Sequence, residues 1–452
     1  MKKLQKLMAL LLTIVMAGSV FIGCTKTQDD PSAEKDVHNN ENVGQEQSKQ
    51  ISKEDFKGEL KVAVPPGDYV DFIEKNMIPG FNQEYPNVKV TVMDDKEIDT
   101  KIAAGDVPDV YAGTFGFMPA KYAKLGKLVN YEQFEDYQKL FDRMNEHYVI
   151  KNFNKLYYVP YNAVTQLMIY NKALFKEAGL DPENPPETFE EFLEAAKRID
   201  ELPNREDGSE VRGTVLWNEA LNWGGWYWTM LTQNYYNMNG GQYQLMNEYG
   251  TDVVFDKPEA KMAEFFEFMT KAQAYAPADM SKNFFSRNIG MWLQFGYGWK
   301  ANLKEAAGQP MEIGKDVEVA PLPVVNKGDT SWSTLDGRSL MIFKSNPEKE
   351  KAAWAFVKFL MRDDKNLEAC KVLGQLPTLK SLESDPYFQS EETKPFVEQL
   401  KHAIPNEPFA ELDQVANAIQ QVYVETVIGK KISAQEAVEE AAKLAREKLK
   451  TQ

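Results

Sequence analysis

At 452 residues, 43% hydrophobic and 27% charged, the chain has an ordinary globular composition and is too long for one small core, so two or more domains are expected. A formal net charge of −16, with no basic stripe, argues against nucleic acid or an anionic membrane surface as partners of the folded part. His38, His147 and His402 lie far apart, no Cys-x-x-Cys pair, Gly-x-Ser-x-Gly elbow or Gly-x-x-x-x-Gly-Lys-Ser/Thr loop occurs, and therefore no metal, nucleophile or cofactor is expected.

Lys2, Lys3 and Lys6 precede an apolar run over residues 7–20, the pattern of a secretory signal covering residues 1–23. Phe21-Ile22-Gly23-Cys24 resembles a lipobox, which implies a lipid thioether on Cys24 and a chain held on the extracellular face of the cell membrane. Residues 24–56 are polar and nearly free of apolar side chains, so they cannot bury enough surface to offset their ordering entropy and read as a disordered tether. With Cys24 lipidated, Cys370 has no disulfide partner and is expected as a small buried hydrophobe in a helix.

After the tether, Leu60, Val62 and Val64 alternate as a strand, and Pro65-Pro66-Gly67-Asp68-Tyr69 breaks it into a loop. A helical stretch carries Phe72, Ile73, Met77 and Phe81, and residues 88–92 alternate again. That strand-helix-strand order predicts a parallel sheet with right-handed crossovers. A helix ending near Ala104 turns at Gly105-Asp106 into a short strand through Val110 and Tyr111. The loop at its C-terminal end is where open α/β sheets place ligands, which makes Thr114 and Phe115 candidates to line a cleft.

Residues 157–180, YYVPYNAVTQLMIYNKALFKEAGL, combine an aromatic turn with a strand, Gln166 to Tyr170, apolar enough to be buried on both faces. Asn171 reads as a helix cap, Gly179 as the stop residue, and Thr188-Phe189-Glu190-Glu191 as a capping box opening a helix whose Phe189, Phe192, Ala196 and Ile199 share one face. The order YxVPY…YNKxLFKEAGL…PPxTFEEFLEAAK closely resembles the extracellular solute-binding proteins of bacterial ABC importers, in the group that includes the maltodextrin-binding protein. Residues 103–113, AAGDVPDVYAG, and 120–131, AKYAKLGKLVNY, look like a second signature of the same group, and the likeness covers roughly the whole chain after the tether.

Trp217, Trp223, Trp226, Tyr227 and Trp228 fall close together and fit either a helical core face or flat platforms for sugar rings. Met262, Phe265, Phe266 and Met269 form a stripe most simply read as core. Gly296, Gly298 and Trp299 suggest a strand leading to a turn that presents an indole, although Asn288-Ile289-Gly290-Met291 departs from the family pattern. Residues 330–343 are expected to turn at Asp336-Gly337 and run into an apolar strand; by resemblance this is an interlobe crossing that sets Trp332, Asp336 and Arg338 near a hinge. Residues 373–378 look like a further crossing, and Ser433 with Glu436 forms a second capping box before the last helix.

The resemblance implies an α/β, periplasmic-binding-protein-like fold of type II, with two α/β lobes joined by a multi-strand hinge. Lobe 1 would comprise residues 57–162 and 337–374, lobe 2 residues 165–334 and 376–450. It implies a monomeric receptor that captures a carbohydrate, an oligosaccharide by expectation, and delivers it to an ABC transporter permease. Trp223, Trp226, Trp299, Trp332 and Tyr161 would stack on the sugar, while Asp68 and Asp336 accept hydrogen bonds from hydroxyls. A polyamine, phosphodiester or peptide remains open as cargo, with Arg338 or Arg287 in the cleft favouring an anion. The other open class is a secreted carbohydrate-active enzyme with two cleft carboxylates, although the acidic pairs Asp94-Asp95, Glu190-Glu191 and Asp363-Asp364 read as solvated surface.

Overall fold

The period-two segments become two sheets. A computed structural model describes residues 56–216, Asn218, Leu221 and residues 226–450. The signal segment, Cys24, the tether up to Asp55, Trp217 and Trp223 lie outside the described residues. Phe56, assigned to the tether from sequence, packs edge-on against Tyr85 with ring centroids 5.5 Å apart.

The first sheet contains β1 (Gly58–Val64), β2 (Val88–Asp94), β3 (Val110–Thr114), β4 (Val159–Val164), β9 (Ser333–Ile342) and β10 (Ala403–Pro405). β1 is parallel to β2 and β3, as the strand-helix-strand order predicts. β9 runs antiparallel to both β3 and β4. The second sheet has the order β6 (Arg212–Val215), β7 (Ile289–Gly296), β5 (Gln166–Asn171), β8 (Val317–Ala320), with β5 antiparallel to both neighbours. Every residue of β5 is buried, which explains its unbroken apolar run at Leu167 to Tyr170.

Local signals hold the following helices in place. The Asn171 side chain accepts from the N–H groups of Ala173 and Leu174, starting helix Lys172–Glu177. Thr188 and Glu191 form the reciprocal capping box of helix Phe189–Asp200, a motif whose cap is worth about 1 kcal/mol. That helix buries Phe189, Phe192, Ala195, Ala196 and Ile199 against the second sheet. Ser433 and Glu436 make the same exchange before helix Ala434–Lys450. Cys370 is buried in helix Asp363–Leu373.

The chain passes from the first sheet to the second between β4 and β5 and returns between β8 and β9. Thr165 alone separates β4 from β5, and its hydroxyl donates to the Phe396 carbonyl at 2.9 Å. β9 pairs through Ser333–Leu335 with β10 and through Asp336–Leu340 with β4. Leu376 bridges Ala163. The first core, built on Leu60, Val110, Phe81 and Phe356, extends to Leu379, Leu382 and Phe388, beyond the boundary at 374 drawn from sequence. A separate cluster, including Leu167, Trp292, Leu335 and Phe396, lies under the crossings.

The expected turn at Asp336-Gly337 is absent: both residues sit inside the ten-residue strand β9. Gly337 has φ +146°, and a Cβ there would meet the Asn162 carbonyl oxygen at 2.1 Å. Glycine at this position serves a close backbone approach, not a turn.

Candidate functional site

The period of two places Asp336 and Arg338 on the same face of β9, where they open onto a cavity of about 280 Å³. The wall also includes Tyr69 from the start of helix Asp68–Phe72, Gln166, Gly298 and Trp299 from the turn after β7, Asn302, and Leu373 and Gln375 at the end of helix Asp363–Leu373. The site thus draws on segments far apart in the sequence.

Arg338 is held from several directions. Its Nη1 donates to Thr114 Oγ1 at 3.1 Å, and its guanidinium lies over the Tyr69 ring, 5.8 Å from the centroid. Asn162 connects these parts: its Nδ2 donates to Tyr69 Oη at 3.3 Å, and its Oδ1 accepts from the Arg338 backbone N–H at 3.2 Å. Burial opposes the Arg338 charge, but the facing Tyr69, Asp336, Tyr111 and Asp95 more than offset it and its pKa is raised. Burial likewise lifts the Tyr69 phenol above its ordinary range.

Asp336 is only 8% exposed, and its Oδ1 has no hydrogen-bond partner. Desolvation raises its pKa above the ordinary aspartate value, while the Arg338 charge and the Gly337 N–H pull it back. Gln375 Oε1 is also buried without a partner. Its Nε2 donates to the Leu373 carbonyl at 3.0 Å, which fixes the orientation of the amide and leaves the oxygen as the free group. Across the cavity, Trp299 is half-buried, backed by Phe285 and Trp292 with centroids 6.5 and 5.9 Å away. One aromatic side chain, a cation and two side chains with a buried, unpartnered oxygen therefore line the same cavity.

Residues 66–366 match the family described as bacterial extracellular solute-binding protein. The chain belongs to that family. As a solute-binding protein of ABC importers, it has relatives on both sides of the cargo question. The sn-glycerol-3-phosphate-binding periplasmic protein UgpB of Pectobacterium atrosepticum is 25% identical over 328 residues, 66% of this chain and 68% of that one. The cyclic alpha-maltosyl-1,6-maltose binding protein of Arthrobacter globiformis matches with TM-score 0.71 and 23% identity, over 88% of this chain and 100% of that one. The acarbose-binding GacH receptor of Streptomyces glaucescens matches with TM-score 0.70 and 21% identity, over 87% and 99%. Both structural likenesses establish the periplasmic-binding-protein-like, type II fold.

In this solute-binding protein the sequence candidates have different placements. Trp299, Asp336 and Arg338 share the cavity, and Thr114 stands behind Arg338. Asp68 is exposed at the first helical position, and its neighbour Tyr69 takes the place on the wall. Phe115 is core: it is 2% exposed and packs edge-on against Tyr158 at 6.0 Å. Tyr161 is fully buried, like its neighbours from Val159 to Ala163, and a register shift between Pro160 and Asn162 leaves it out of the ladder. Trp332 stands away from the cavity, where its ring meets His402 edge-on at 5.9 Å and covers Gly241. The Arg287 guanidinium donates to the carbonyls of Gln309 and Pro310 and is not on the wall.

Trp223 and the side chain of Trp226 lie outside the described residues, while Trp228 is core at 3% exposure. Sequence reasoning missed Tyr69 and Gln375. Both lie in segments it had marked, the loop after β1 and residues 373–378, which it read as a crossing. Among the described residues no group of three His, Cys, Asp or Glu side chains is disposed to hold a metal ion, and no helix is long and apolar enough to cross a membrane.

Proposed function

We propose that this chain is a lipid-anchored extracellular receptor, fixed through Cys24, that captures a carbohydrate between two lobes and delivers it to an ABC transporter permease. The lobes are residues 57–162 with 337–374, joined by the stretch to Phe388 that packs in the first core, and residues 165–334 with the rest of 376–450. One observation carries the cargo class: a half-buried indole, Trp299, shares a cavity with Asp336, a buried carboxylate holding an unfilled acceptor. Sugar rings present apolar C–H faces that stack on aromatic rings and hydroxyls that donate to carboxylates. The maltosyl-maltose and acarbose ligands of the structural relatives belong to the same chemical class.

At about 280 Å³ the cavity sits at the lower edge of the range for small-molecule sites, which favours a short sugar or one end of a longer one. Ligand contact with both lobes would shift the population toward a closed form that the permease recognises, with the chain acting as a monomer. Asp336 is the sole carboxylate among the described wall residues, whereas glycoside hydrolysis uses a pair flanking the bond, so binding without turnover is the reading adopted.

A thermal-shift screen over glucose, maltose, maltotriose and ribitol, with product analysis of the same mixtures, tests the proposal. An upward shift with unchanged sugar is expected. Hydrolysis products would reject the receptor reading.

A further inference from the structure

The chain has eight arginines, all within the described residues. Seven of them each donate to at least two carbonyl or carboxylate oxygens: Arg198 reaches the carbonyls of Ala178 and Gly179, for example, and Arg446 reaches Asp252, Asp256 and the Val253 carbonyl. Arg338 is the exception. Its side chain donates one hydrogen bond, from Nη1 to the neutral Thr114 hydroxyl at 3.1 Å, and otherwise faces the Tyr69 side chain. Asp336 and Asp95 act on it only at a distance, and no carboxylate among the described residues forms an ion pair with it.

A guanidinium carries five N–H donors in a flat fork that fits an oxyanion with two parallel bonds. Burial opposes the Arg338 charge, and a counter-ion brought by a ligand offsets that cost. The other arginines tie segments of the fold together; Arg338 is half-buried on the wall of the 280 Å³ cavity and is the sole cation among the described wall residues. Trp299 lines the same space, so a ring lying on the indole comes within reach of the guanidinium. Resting on the carbohydrate reading above, we propose that Arg338 makes the cavity selective for acidic sugars: the ring lies on Trp299 and its anionic group, a carboxylate or a phosphate, docks on the guanidinium fork. A neutral hydroxyl accepts a single N–H bond from the same group and leaves the charge uncompensated, so it gains less. Asp336 opposes an anion, but burial already lifts its pKa, which lessens the repulsion.

The test compares sugars that share a ring and differ at one carbon. Calorimetric affinities of the whole folded chain are measured for glucose, galactose and maltose against glucuronate, galacturonate and glucose 6-phosphate. At least one acidic sugar is expected to bind about ten-fold or more tightly than its neutral counterpart, with an advantage that shrinks as sodium chloride is added. The uronates report a carboxylate as the docked group and glucose 6-phosphate reports a phosphate. Arg338→Gln should bring the acidic sugar down to the level of the neutral one, and Arg338→Lys, which keeps the charge without the fork, should retain part of the preference. The comparison in the natural protein decides the question even if a variant fails to fold.

If a neutral sugar binds as tightly as its acidic counterpart, or if folded Arg338→Gln keeps the preference, the role given to Arg338 is overturned while the carbohydrate receptor stands. If no sugar of either kind binds, both fall.

Discussion

Two buried carboxylates, Asp336 and Glu407, sit in opposite surroundings, one beside a cavity and the other in a structural joint. Asp336 opens onto a cavity of about 280 Å³ with Oδ1 unpartnered. Glu407, just after β10, is 2% exposed, and the space beside it is only about 10 Å³, closed by Phe117, Trp228, Tyr236 and Leu412. Its Oε1 accepts from the Met246 N–H at 2.7 Å and its Oε2 from the Leu245 N–H at 3.1 Å. Desolvation raises both carboxyls, Glu407 to about 7. Glu407 is supplied by its own chain with a donor on each oxygen and holds segments together, whereas Asp336 keeps one oxygen unpartnered.

The same contrast orders the mutational outcomes. The largest effect is expected on the strand that carries Asp336: Gly337→Ala forces a Cβ against the Asn162 carbonyl and should cost about 3 kcal/mol or more, read by urea unfolding. Glu407→Ala should follow at about 2–4 kcal/mol, since it strands two buried N–H groups. Asp336→Ala should change stability by less than about 1 kcal/mol, and in either direction, because it removes an unsatisfied group. Equal losses from the two alanine variants would erase the distinction.

Next comes pH. The Glu407 carboxyl titrates near 7 when folded and at 4.5 when exposed, so the folded state holds the extra proton between those values. Its contribution to stability is complete below the unfolded value and is lost as pH rises through the folded one, at no more than about 1.4 kcal/mol per pH unit. The natural protein should therefore gain stability over Glu407→Gln as pH is lowered from 7.5 to 5. A gap that shrinks instead would refute this. The last effect is on binding alone: Trp299→Ala should weaken sugar binding by about 1 kcal/mol with the fold intact, and an unchanged affinity would remove Trp299 from the site.

Short-range physics was readable in the chain. The Asn171 cap, the Thr188–Glu191 box and the alternation of β1 and β2 depend on neighbours within a few residues, and each appears where its residues predict. Much of the site was not readable, because distant segments decide it. Gly337 looks like a turn residue, yet its role is set by the Asn162 carbonyl, far away in sequence. Trp299 and Trp332 carry the same side chain; the path of β7 aims one at the cavity, while Gly241 and His402 take up the other. Tyr161 lies in the core because β4 is packed on both faces there, which the aromatic turn sequence does not reveal. Asp68 missed the wall by one helical position, the difference between an exposed face and the face that presents Tyr69.

β9 constrains motion. Its ladders to β3, β4 and β10 pin it along its length, and slipping by even one residue would turn Leu335, Leu340 and Ile342 out of their cores. Asp336 and Arg338 flank Gly337 on this clamped strand, so the spacing of the two charged groups on the cavity wall is set by the ladders on either side.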